Sequence, residues 1–86
     1  MEMGYKPTFI RQFDKLDPAL KEEVLEKIEL FRNKRNHKRL KVHKLHGSLA
    51  GYFSFSVNYK TRIVFSYVSG HEAVLLAVGY HAVYDI

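Results

Sequence analysis

The stretch "YFSFSVNYKTRIVFSYVSGHEAVLLAVG", Tyr52 to Gly79, decides the fold. Its first segment, 52–57, alternates, with Phe53, Phe55 and Val57 on one side and Tyr52, Ser54 and Ser56 on the other. Its second, 61–68, sets Ile63, Phe65 and Tyr67 against Arg62, Val64 and Ser66. Its third, 72–79, sets Val74, Leu76 and Val78 against Ala73, Leu75 and Ala77. A period of two is the signature of strands whose two faces meet different surroundings. "NYK" (58–60) and "SG" (69–70) are short enough for hairpin turns, so the three segments predict an antiparallel meander. One face is bulky and apolar; the other is smaller, more polar and carries Arg62.

The residues before the meander must cover its apolar face. "MGYKP" predicts a short extended entry, because Pro7 pushes Lys6 away from helical angles, and this entry is expected to join the sheet as a short strand. Thr8 is expected to cap a first helix with Phe9, Phe13 and Leu16 along one face. "DP" at 17–18 restarts the helix, Asp17 as N-cap and Pro18 at the first helical position. Glu22 and Glu23 sit near the positive end of the dipole. Leu20, Val24, Ile28 and Phe31 form one apolar stripe that fades around Arg32 to Lys34. The expectation is an α+β fold of one domain over 1–86. An N-terminal helical hairpin packs on one face of a small, mainly antiparallel sheet of three to four strands.

Between helices and meander lies "RNKRNHKRLKVHKLHG", Arg32 to Gly47. Residues 30–71 hold nine basic side chains and no acidic one, and four of the five histidines, whereas 1–29 hold five basic and seven acidic. The overall net charge is +5. An uninterrupted positive block inside a folded domain points to a polyanionic partner, most often nucleic acid; the alternative is a solvated face that only maintains solubility. There is no cysteine, hence neither a disulfide framework nor a thiolate zinc site. The opening residues lack the basic-then-apolar pattern of a signal peptide, and no apolar run approaches the ~20 residues of a membrane helix. The expected location is cytoplasmic, without membrane, small-molecule cofactor or metal. His43 and His46 stand three apart with His37 near, but no carboxylate lies close in sequence to complete a zinc site.

"KLHGSLAGYFSFSVNYKTRIVFSY" (44–67) and "LLAVGYHAVYD" (75–85) together resemble the RelE/ParE superfamily of type II toxins. The family's ordered set is a helical hairpin, a basic loop, L-x-G-x-x-x-G-Y, a strand with R-I-V-F/Y, and a last strand leading to G-x-H-x-x-V-Y. Leu45, Gly47, Gly51, Tyr52, Arg62 to Phe65, Gly79, His81, Val83 and Tyr84 fit it, over most of the chain. The resemblance implies a RelE-like fold and a toxin held inactive by a cognate antitoxin. It also implies one of two activities: the RelE, YoeB and YafQ branches cleave messenger RNA, usually on the ribosome, whereas the ParE branch poisons DNA gyrase without being a nuclease. A non-catalytic nucleic-acid-binding relative is the third reading.

RNA cleavage without a metal needs a base for the 2′-hydroxyl, an acid for the departing 5′-oxygen, and cations on the phosphoryl group. Arg62 matches the arginine of R-I-V-F/Y and is the expected phosphate clamp; the bland alternative is a strand arginine that only adds charge. His81 matches the C-terminal histidine of the YoeB and YafQ branches and is the expected acid or base. His43 matches a YafQ-branch histidine and is favoured as the second proton-transfer group, or else it joins His46 in binding phosphate. Tyr84 stacks on a base, orients the substrate, or covers the sheet edge. Lys38, Arg39, Lys41, Lys44 and His46 are expected to bind RNA, and Val64 and Leu75 to anchor the antitoxin. Two departures stand out. Ser56 and Lys60 occupy the positions of further YafQ-branch His and Asp residues, and the glutamate of the YoeB branch has no counterpart between 30 and 71.

Overall fold

The computed structural model describes residues 1–80 together with Val83 and Tyr84. In chain order it contains β1 (Glu2–Tyr5), α1 (Pro7–Asp14), α2 (Pro18–Phe31), a 3₁₀ turn (Lys34–Asn36), β2 (His43–Lys44), a second 3₁₀ turn (Gly47–Leu49), β3 (Phe53–Ser56), β4 (Arg62–Ser69) and β5 (Glu72–Gly79). One mixed sheet has the order β1-β5-β4-β3-β2, with β1 parallel to β5 and all other pairs antiparallel. The fold is α+β, with five strands where three or four were expected. The additional strand is β2, which pairs through only two residues, His43 opposite Ser54 and Lys44 opposite Phe53.

The helix starts follow local chemistry, with one correction. Asp17 caps α2, its Oδ1 accepting from the Leu20 amide at 3.0 Å, and Pro18 takes the first helical position. In α1 the N-cap is Lys6, extended at φ −76° and ψ 151°, and not Thr8. Pro7 itself begins the helix, since its fixed φ suits that position and its missing N–H leaves nothing unpaired. Thr8 Oγ1 instead accepts from Arg11 Nη2 at 3.2 Å.

The core lies between α2 and the sheet. Val24, Ile28 and Phe31 from α2 are buried against Phe55, Ile63, Phe65, Leu75 and Val78. Phe31 is fully buried, with its ring 4.5 Å from Phe55, 4.7 Å from Phe65 and 4.6 Å from His37, centroid to centroid. Aromatic packing of this density contributes beyond simple area burial. Tyr67 closes the row against Phe53 and Phe65, and burial pushes its phenol pKa upward.

The β5 alternation breaks in the middle. Val64 pairs with Ala77 and Phe65 with Leu75, so Leu76 is the extra residue of a β-bulge. Beyond it the facing reverses: Leu75 and Val78 both point into the helix-side core, while Ala77 joins the opposite face. Strict alternation groups Val78 with Leu76, and the bulge separates them. Past the end of β1, Gln12 Oε1 accepts from the Val78 amide at 2.8 Å and so satisfies an otherwise exposed strand edge.

Candidate nucleic-acid interface

The face away from the helices carries Arg62 and His43. A second, smaller apolar cluster, Val64, Ala77 and Val83 with Leu45, Leu76 and Tyr84 at its margin, forms the floor. The Val83 amide donates to the Tyr80 carbonyl at 2.9 Å, which holds Val83 in this cluster. Tyr84 Oη lies 3.1 Å from Oγ of the fully buried Ser54. Tyr84 therefore lies over the interior strand β3 at this point. Val64 and Leu75 are both fully buried, so neither anchors a partner; Val64 lies under this cluster and Leu75 faces the helices.

Cross-strand partners share a face, so the register assigns the remaining residues. His43, Ser54, Val64 and Ala77 form one row across the sheet, and Ser56, Arg62 and Gly79 form another on the same side. Arg62 and His43 are thus two residues and two strands apart, roughly 12 Å between Cα atoms at standard strand spacings. Lys44 pairs with Phe53, whose side chain belongs to the helix-side core. It therefore projects to the other side from Arg62 and His43.

Arg62 is half-buried and held at one end. Its Nη1 donates to the carbonyl oxygens of Asn58 at 2.6 Å and Thr61 at 3.1 Å. Nε and Nη2 have no protein partner among the described residues, which leaves one edge of the guanidinium fork open. With Tyr59, Lys60 and Tyr80 it lines a cleft of about 540 Å³. His43 lies outside that cleft, and its Nδ1 is 2.7 Å from the Lys41 carbonyl. A carbonyl only accepts, so Nδ1 donates in this contact, which leaves Nε2 without a protein partner among the described residues. His81 lies outside the described residues; in sequence it follows Tyr80 directly.

The basic segment wraps the β2 edge. Leu40 is buried, and its carbonyl accepts from the Ser56 amide at 2.9 Å, which brings Lys38, Arg39 and Lys41 to the Arg62 end of the sheet. Lys41 takes a left-handed conformation, φ 59°, which turns the chain into β2. Farther along, Gly47 at φ +66° and Gly51 at φ +94° are needed for backbone angle, since a Cβ at either would meet open space. His46 is the exposed residue before the second 3₁₀ turn. His37 is occupied elsewhere, stacked on Phe31 with Nε2 at 2.8 Å from its carbonyl. Among the described residues no three metal-binding side chains are grouped to hold an ion.

The electrostatics are one-sided. Of the nine cations between 30 and 71, only Arg32 has a carboxylate partner among the described residues, Glu29 at 3.2 Å. The other eight, from Lys34 to Arg62, make no ion pair among the described residues, the footprint expected for phosphate binding. Sequence reasoning missed three residues here. Asn58 organises the β3–β4 hairpin: Oδ1 accepts from the Lys60 and Thr61 amides at 2.9 and 2.8 Å, and Nδ2 donates to Glu23 Oε1 at 2.7 Å. Tyr59 and Tyr80 are 92% and 60% exposed. An asparagine before a turn is a legible signal; the exposure of the two tyrosines is not.

No family model and no curated protein matches the chain. Solved structures do. The YoeB/ParE toxin from Agrobacterium tumefaciens superposes with TM-score 0.68 at 22% identity, covering 94% of this chain and 99% of that one. The toxin–antitoxin complex RelBE2 from Mycobacterium tuberculosis gives TM-score 0.71 at 24% identity, with 93% and 96% covered. The YoeB–YefM complex from Staphylococcus aureus gives TM-score 0.73 at 16% identity, with 94% and 97% covered. At these identities the likeness is one of fold, over nearly the whole length of each chain: this protein has the fold of the RelE/ParE superfamily of toxins.

Proposed function

We propose that this protein is the toxin of a type II toxin–antitoxin pair and that it cleaves messenger RNA on the ribosome in the cytoplasm. The observation that carries this reading is the open edge of the Arg62 guanidinium, set in a cleft on the uncovered sheet face. It stands at the end of a cationic segment that has no carboxylate of its own. In the proposed reaction Nε and Nη2 of Arg62 hold the scissile phosphate through paired, charge-assisted bonds. The 2′-oxygen attacks the adjacent phosphorus as its proton leaves to a base; the bond from phosphorus to the 5′-oxygen breaks, and that oxygen takes a proton from an acid. The products are a 2′,3′-cyclic phosphate and a 5′-hydroxyl.

His81, next in the chain to a cleft-lining residue, is the proposed partner of Arg62 in proton transfer. His43 Nε2 is the second proton-transfer group, reached when the substrate draws the side chains across the ~12 Å Cα span. Lys38, Arg39 and Lys41 supply the salt-sensitive attraction to RNA backbone, and His46 extends it along the edge, whereas Lys44, on the helix side of the sheet, lies off this path. The antitoxins in the RelBE2 and YoeB–YefM complexes support a cognate antitoxin for this chain as well.

Primer extension on a message in a reconstituted translation system tests the reading, comparing wild type with Arg62→Ala and His81→Ala. Ribosome-dependent cuts by wild type that vanish in both variants are expected. An intact message, together with gyrase-linked double-strand breaks in cells, assigns the protein instead to the non-enzymatic, ParE-like activity.

A further inference from the structure

The two most exposed aromatic side chains of the molecule stand together. Tyr59 at the hairpin tip is 92% exposed and Tyr80, just after β5, is 60% exposed. Both line the Arg62 cleft with Lys60. Neither ring stacks on another aromatic among the described residues, so neither is there to fill the core.

The tip is nonetheless held firmly. Asn58 ties the turn to itself through the Lys60 and Thr61 amides, to Arg62 through its carbonyl, and to α2 through Glu23. An exposed tyrosine on a fixed turn has lost little of its freedom to bind, and its two torsions are inexpensive to immobilise.

The surroundings decide what it binds. On the α2 side, Tyr59, Lys60 and Tyr80 also border a groove of about 710 Å³ that carries Asp17, Glu22, Glu23 and Glu26. On the other side lies the Arg62 cleft, which has no carboxylate among its described lining residues. The tyrosines therefore form a ridge between an acidic groove and a cationic cleft. A polyanion is repelled from the first and retained by the second. The ligand that combines negative charge with flat aromatic faces at this spacing is a single-stranded nucleic acid.

We propose that Tyr59 and Tyr80 are stacking surfaces for nucleobases of a single-stranded RNA whose phosphate rests on Arg62. The tyrosines select for unpaired bases and fix the strand's path, with the acidic groove as the wall it does not cross. This rests on the reading of Arg62 as a phosphate clamp and adds the base-binding half of the site.

The test is equilibrium binding of an uncleavable 2′-O-methyl hexaribonucleotide carrying 2-aminopurine, titrated at several salt concentrations. The proteins are wild type, Tyr59→Ala, Tyr80→Ala, Tyr59→Phe and Lys60→Ala. Stacking of one base predicts a loss of about 5- to 100-fold for each alanine variant, with the salt slope unchanged. Tyr59→Phe keeps the ring and stays within about twofold of wild type, and Lys60→Ala lowers the salt slope. Wild type quenches the 2-aminopurine emission on binding, and Tyr59→Ala quenches it less.

Alanine variants that bind as wild type does overturn the proposal. So does a wild type that does not bind, or a Tyr59→Phe loss equal to that of Tyr59→Ala. If Tyr59→Ala loses a basic protein partner while RNA affinity is unchanged, the ridge is a protein-docking site and the proposal again fails. Because the ligand cannot be cut, binding is read apart from catalysis. A wild type that binds and stacks but cuts no message refutes the nuclease reading alone.

Discussion

The Asn58–Glu23 contact lends itself to a donor-reversal experiment. Asn58→Asp keeps the side-chain acceptor for the Lys60 and Thr61 amides but replaces the Nδ2 donor with a carboxylate facing Glu23 Oε1, 2.7 Å from the present donor. A hydrogen bond to a charged group contributes about 1.5–3 kcal/mol net. Its loss, with like charges brought together, costs about 2 kcal/mol after allowing for partial solvent exposure. For a domain of this size that lowers Tm by about 8–16 °C. Glu23→Gln alone turns a charge-assisted bond into a neutral one and costs at most about 1 kcal/mol. The double variant Asn58→Asp with Glu23→Gln restores a charged bond with donor and acceptor exchanged, and it should recover most of the loss. Thermal unfolding of the four proteins at neutral pH and low salt gives the coupling energy directly. Additive losses in the double variant, or an Asn58→Asp protein as stable as wild type, would refute the argument that this bracket ties the hairpin to α2.

Further predictions concern single positions. Arg62→Ala should lower single-turnover cleavage of ribosome-bound message by about 10²–10³-fold, the usual effect of removing one preorganised donor to a developing anion. Lys41→Gly relieves a left-handed non-glycine conformation, φ 59°, worth about 1–2 kcal/mol, against about 0.5–1 kcal/mol of added chain entropy. Thermal melts should thus show a small gain in stability, while RNA affinity and its salt slope both fall. Phe31→Ala empties the centre of the aromatic core, 0% exposed in the native state, and should cost about 3–5 kcal/mol by urea denaturation, a large part of the stability of a small domain. Raised by burial, the Tyr67 pKa makes stability full below about pH 10 and falling as pH climbs from there. Tyr67→Phe should flatten that alkaline fall in melts taken from pH 9 upward.

Much of the fold was legible because local and global signals agree. Asp17–Pro18 starts α2 by capping chemistry alone, and the Val24, Ile28 and Phe31 stripe identifies its buried face without help from the sheet. The β3 and β4 alternation survives because serine or arginine contrasts with phenylalanine, isoleucine or tyrosine at every step except Val64. In "AVLLAV", by contrast, both faces are apolar, so alternation has no contrast and the bulge at Leu76 leaves no trace in the pattern. The strand His43–Lys44 is too short and too polar to show a period, and its identity comes from the long-range pairing with Ser54 and Phe53. Pro7 was the stronger start signal for α1 than Thr8, because its geometry fits the first helical position itself.

The site divides the same way. Arg62 and the Lys38–Lys41 cations follow from charge and strand parity, which the register places at one end of the uncovered face. That His43 shares this face and Lys44 does not depends on the pairing of β2, which composition does not encode. Tyr84 could be read as covering or contacting the sheet, but its bond to buried Ser54 required coordinates. Tyr59 and Tyr80 escaped notice because a tyrosine in a sequence is ordinarily assigned to the core, and only their exposure beside Arg62 distinguishes them.

The most direct test of the central claim uses two messages that differ at one atom. Each is translated in a reconstituted system containing the purified protein, one all-ribose and the other with a single 2′-deoxynucleotide on the 5′ side of the mapped cut. Attack by the 2′-oxygen predicts that the ribose message is cut, leaving a cyclic phosphate and a 5′-hydroxyl, while the deoxy message survives at that site. Equal cutting of both messages, or no cutting of either, would contradict the account.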